Sequence, residues 1–135
     1  MSFDFTFEYA HGILRSQFSG NLNDQSLMDY YAAVKVQAAN VKPNFTLLEF
    51  KDITSVDLST TAISFLAGSV PAFPESAKPR VIVAPTDLIY GKCRAFEMLR
   101  NDQRRNLHIV RTVAEAYSLL GVVDPIFQPI PKLAS

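Results

Sequence analysis

The chain has 135 residues, 48% of them hydrophobic and 19% charged, with thirteen Lys and Arg against thirteen Asp and Glu. That suits one compact domain able to bury roughly two thirds of its unfolded surface, and it is too apolar for a disordered chain. Zero net charge gives no general pull toward nucleic acid or an anionic membrane, a single cysteine excludes an internal disulfide, and no stretch approaches the ~20 apolar residues of a membrane span.

The opening segment, MSFDFTFEYAHG, lacks the basic head and apolar run of a signal peptide, so the expected location is the cytoplasm. In it Phe3, Phe5, Phe7 and Tyr9 alternate with Asp4, Thr6 and Glu8, which predicts a strand with one buried and one wet face. His11-Gly12 is a turn signal, and Ile13 to Phe18 reads as the returning strand of a hairpin. Ser19-Gly20-Asn21 is expected to break that strand. Asn23 or Asp24 then caps a first helix whose buried stripe is Leu27, Tyr30 or Tyr31, Val34 and Ala38.

After Pro43 and Asn44, Phe45 to Phe50 is a third strand, and Asp52 to Val56 reads as loop. Asp57 or Ser59 caps a short second helix with Ile63, Leu66 and Val70 inward and Gly68 near its end. Pro71 to Pro79 holds three of the eight prolines and predicts an irregular connection.

Val81 to Ala84 is a short apolar run suited to a strand covered on both faces, and Pro85 stops it because proline has no amide to donate. Thr86 and Asp87 can cap the next helix, and Ile89, Cys93, Phe96 and Leu99 recur on one helical face. Ligands of open α/β sheets gather beyond the carboxyl ends of strands, so Thr86 to Arg94 is a first place to look for a site. The polar connection Asn101 to Asn106 leads to a strand over Leu107 to Val110. Thr112 and Glu115 form a capping box for a helix with Val113, Ala116 and Leu120 inward and Gly121 at its end. Val122 to Ser135 carries three prolines among apolar residues and predicts an extended tail.

The pattern is β-β-α-β-α-β-α-β-α. It implies an α/β domain over residues 1–121, a single mixed, mainly parallel five-stranded sheet with right-handed crossovers and an N-terminal hairpin. Residues 122–135 form the tail. Its apolar residues favour docking on a surface, and a second copy of the chain is the expected surface, giving a homodimer. The same tail folded back on its own domain is the plainer arrangement.

PRVIVAPTDLIYGKCRAFEMLR followed by NLHIVRTVAEAYSLLG resembles the SpoIIAA-like branch of the STAS superfamily, over roughly residues 3 to 121. The resemblance implies a β-α superhelix and a regulatory domain that binds protein partners. In the anti-sigma-factor antagonists of that superfamily, a D-S-S-G motif opens the second helix and a partner kinase phosphorylates one serine. The matching stretch here is Asp57-Leu58-Ser59-Thr60. Asp57 and Ser59 match; Leu58 stands for a serine and Thr60 for the glycine.

Ser59 and Thr60 are therefore the phospho-switch candidates, since a phosphate there would meet free amides and the positive end of the helix. Their plainer role is capping. Asp57, Asp87, Tyr90 and Arg94 are candidate ligand or partner contacts. Tyr90 offers a ring and a hydroxyl, and Arg94 a planar donor fork; the plainer reading is a solvated helix start with Arg94 paired to Asp87. Cys93 lies on the apolar stripe and reads as a small hydrophobe. His11 and His108 are isolated, without metal-ligand spacing, and no Walker loop, G-x-S-x-G or G-x-G-x-x-G occurs. No catalytic residue, metal or cofactor is assigned. The basic residues Arg100, Arg104, Arg105 and Arg111 lack interleaved aromatics and predict a solvated face rather than a nucleic-acid site. The function expected is a non-enzymatic regulatory module with a protein partner. The alternative is a carrier of an anionic or amphipathic small ligand or lipid, held near Asp87 to Arg94.

Overall fold

A computed structural model describes residues 2–69, 78–99 and 106–130. The loop expected over Pro71–Pro79 lies mostly outside the described residues. So do Val70, Arg100 to Arg105 and the last five residues of the tail.

Strands β1 (Ser2–Glu8) and β2 (Ile13–Asn23) form the hairpin. Gly12 makes its turn in the left-handed region at φ 74°, where a Cβ would also meet the Asn44 amide at 2.6 Å. The alternation places Phe7 inside as expected. However, Tyr9 falls past the strand and is 57% exposed, while Glu8 is buried, accepting from the His11 amide at 2.6 Å.

Helix α1 (Asp24–Val41) is capped by Asn23, and β3 (Phe45–Asp57) follows. Both neighbouring strands run further than their sequences suggest. Ser19-Gly20-Asn21 does not end β2, and Asp52 to Val56 is not loop. Gly20 takes a bulge at φ 89° and Asp52 a positive φ of 52°, after which parallel pairing resumes as far as Asn23 opposite Asp57. Each polar segment is the ladder partner of the other, and their apolar members Leu22, Ile53 and Val56 point into a common cluster.

Helix α2 (Thr60–Gly68), strand β4 (Arg80–Val83), helix α3 (Asp87–Leu99), strand β5 (Leu107–Val110) and helix α4 (Val113–Leu120) complete the alternating pattern. On α3 the stripe buries Ile89 and Cys93, but Phe96 is half-buried and Leu99 is 52% exposed. Thr112 caps α4 through the Glu115 amide, and Glu115 reaches back to the Thr112 hydroxyl.

The sheet has six strands rather than five, in the order β5-β4-β3-β2-β1-β6. The added strand, β6 (Gln128–Pro129), comes from the tail and pairs antiparallel with β1 at the sheet edge, where a proline costs no ladder bond. Val122 enters the core, Phe127 lies under the Arg15 guanidinium, and Ile130 packs near Phe7 and Leu14. Over residues 122–130 the segment expected to dock on a second copy thus packs on its own sheet.

Steady progression from β2 to β5 through right-handed crossovers puts α1, α2 and α3 on one face. Helix α4 covers the other, over Ile13, Leu47, Val81 and Val83.

Candidate functional site

The first turns of the helices gather at one end of the sheet, because the parallel strands that precede them have their carboxyl ends there. Asn23 lies opposite Asp57 in the ladder, so the start of α1 stands beside the start of α2. Ser59 is the exposed N-cap of α2, and its Oγ accepts from the Ala62 amide at 3.0 Å. The same hydroxyl donates to Asp24 Oδ2 at 2.7 Å, and the Ser59 amide donates to Asp24 Oδ1 at 2.9 Å. One carboxylate on α1 thus holds both polar groups of the residue that caps α2.

These two hydrogen bonds keep the Asp24 carboxyl below the usual aspartate range, helped by the positive charge of Lys92. The Lys92 ammonium donates to the Leu58 carbonyl at 3.1 Å, tying α3 to the entry of α2. Thr60, the first residue of α2, and Asp57, the last of β3, are both exposed at this end.

The remaining candidates do not converge with Ser59. Asp87 is paired, but with Arg111 at 2.8 Å rather than with Arg94. Arg111 also lies over the Tyr90 ring, 5.0 Å from its centroid, so Asp87, Tyr90 and Arg111 form a second surface group at the ends of β4 and β5. Arg94 instead bonds Glu97 one turn along its own helix. That is the shorter reach: i and i+3 share a helical face, whereas residue 87 is two turns back.

Cys93 is buried and its thiol is pushed up to about 12 by desolvation, which leaves it unreactive at neutral pH. The Tyr30 hydroxyl is likewise raised to about 12 by burial, despite a hydrogen bond to Ser16. Its ring stacks with Phe5 and meets Phe3 and Phe18 edge-on. These groups are structural.

Sequence reading singles out Ser59 but treats Asp24 only as a possible cap. The two lie 35 positions apart, and only the β2–β3 register joins them. Arg111 reads as part of a solvated basic stretch, and the strand ladder that brings its loop beside Asp87 has no local signal.

No family model and no curated relative matches the sequence. Among solved structures, the fold matches the anti-sigma factor antagonist SpoIIAA in its unphosphorylated form, with a TM-score of 0.57 and 11% identity over 90% of this chain and 100% of that one. It also matches the Bacillus cell fate determinant SpoIIAA in the phosphorylated form, with a TM-score of 0.55 and 13% identity over 88% of this chain and 99% of that one. The chain has a SpoIIAA-like fold. Among the described residues no helix is long and apolar enough to cross a membrane.

Proposed function

We propose that this chain is a regulatory protein-interaction module in which phosphorylation of Ser59 switches the surface presented to a protein partner. The observation that carries the reading is the Asp24–Ser59 clamp at an exposed helix start. It is supported by likeness to a fold known in phosphorylated and unphosphorylated forms.

The clamp gives such a modification a physical consequence. Phosphate on the Ser59 oxygen replaces the proton now donated to Asp24 and brings about −1.5 to −2 charges against a carboxylate. The bond becomes a repulsion, and the tie between α1 and α2 opens. The phosphate itself is favourable at the α2 N-terminus, with its unpaired amides, and near the Lys92 ammonium. The modification therefore moves the two helix starts relative to each other without unfolding α2. Thr60, exposed one position on, is the second acceptor; it lacks the Asp24 bond and is the weaker switch.

The test is phosphate mapping on protein recovered from its native cells, combined with partner capture by wild type, Ser59→Ala and Ser59→Asp. The reading expects phosphate on Ser59 and a partner that Ser59→Ala retains and Ser59→Asp loses. Equal capture by both variants, with no phosphate on Ser59 or Thr60, overturns it.

A further inference from the structure

On the three-helix face, α1 lies over β1 and β2, while α2 and α3 pack on each other and α3 extends to β5. The helices splay, and between them β3 and β4 are incompletely covered. The result is a cleft in two adjoining lobes of about 150 Å³ each, which share Tyr30, Tyr31, Leu48, Ile82 and Phe96. The first lobe is almost wholly apolar. Among the described residues its one charged lining side chain is Lys92, whose ammonium reaches Leu58 at the α2 end. An ammonium carries three donors, and among the described residues this one makes a single hydrogen bond. Arg80 borders the second lobe and has a partner of its own.

Interiors normally pack to the density of organic crystals, and apolar space of this size is unfavourable to leave empty. A lobe of this volume takes a benzene-sized group, so two in line take a hydrocarbon of on the order of ten to twelve carbons. We infer that the cleft is a binding site for an amphipathic monocarboxylate, with its chain lying over Leu48 and Ile82 and its head on Lys92. The chain supplies the apolar contact that both lobes offer. The carboxylate supplies the acceptor that the Lys92 ammonium can still take, in a charge-assisted bond. This site stands on the cleft and does not depend on modification of Ser59.

The probes are dodecanoate and 1-dodecanol, below their aggregation limits, titrated into the full chain by calorimetry and counted by native mass spectrometry. One dodecanoate per chain is expected, bound about tenfold more tightly than the alcohol, as a charged hydrogen bond implies. Lys92→Met, near the surface, should abolish that preference while keeping dodecanol binding. Absence of saturable dodecanoate uptake or an undiminished preference in Lys92→Met each overturns the site.

Discussion

On one face of the sheet, α4 and Val122 close over Ile13, Leu47, Val81 and Val83, which are all buried. On the other, α1 stands apart from α2 and α3, and Leu48 and Ile82 line open space between them. The contrast is set within single strands, because adjacent residues point to opposite faces. Leu47 is 1% exposed; its neighbour Leu48 is half-buried in the floor of the cleft. The difference teaches that one sheet can pack fully on one side and leave space on the other. Both faces are held by apolar packing, but the closed face buries one cluster without a gap, whereas the open face buries two, around Phe18 and around Leu14, and leaves the cleft beside them.

The most direct way to break this comparison is a pair of truncations. Leu47→Ala should cost about 3–5 kcal/mol, since the closed face cannot relax into the hole. Leu48→Ala should cost about 1–2 kcal/mol, because part of its surface already faces empty space and less contact is lost. Equal losses in urea denaturation would show that the two faces are packed alike. Next in size is removal of the tail. A chain ended at Gly121 loses Val122 from the closed core, along with the Phe127–Arg15 contact and the β6 pairing. It should be less stable by about 2–3 kcal/mol, roughly the burial of one Val side chain with its neighbours. No change in the denaturation midpoint would show that the tail contributes nothing to that face.

The buried stripes of both faces are legible in the sequence, and the cleft is not, for a physical reason. Val81, Val83, Ala116 and Leu120 announce their burial by local period, because each is covered by its own α/β neighbour. An apolar stripe does not reveal whether the facing helix meets it or stands off. Phe96 and Leu99 continue the period of Ile89 and Cys93, yet only the first two positions of that stripe are buried, since Phe96 lines the cleft and Leu99 is exposed at the end of α3. The long polar ends of β2 and β3 were hidden because Gly20 and Asp52 read as breakers when each strand is taken alone. At the site, Ser59 was legible from capping chemistry, while Asp24 required the register.

The smallest effect expected tests what holds the open face. Ser59→Ala removes the cap bond to the Ala62 amide and should cost about 1 kcal/mol at neutral pH. That part carries no titrating group. The variant also removes one of the two donors that hold the Asp24 carboxylate, and this second part depends on pH. Asp24 has a lower pKa folded than its ordinary value, so the unfolded chain binds the proton more readily. Its contribution is complete above the ordinary aspartate value, roughly pH 3.9, and is lost as pH falls through the lower folded value. With only the amide donor left, the folded pKa in Ser59→Ala should move back toward the ordinary value, so the variant has less of this contribution to lose. The stability gap between wild type and Ser59→Ala should therefore narrow between about pH 5 and pH 2, toward the cap bond alone. The gap between wild type and Leu48→Ala should stay constant over the same range, because among the described residues no carboxylate lines the cleft that Leu48 floors. Urea denaturation of the three proteins at stepped pH measures both gaps. A Ser59→Ala gap that does not change with pH would show that Asp24 does not hold the two helix starts together, and the clamp on which the proposed switch acts would be absent.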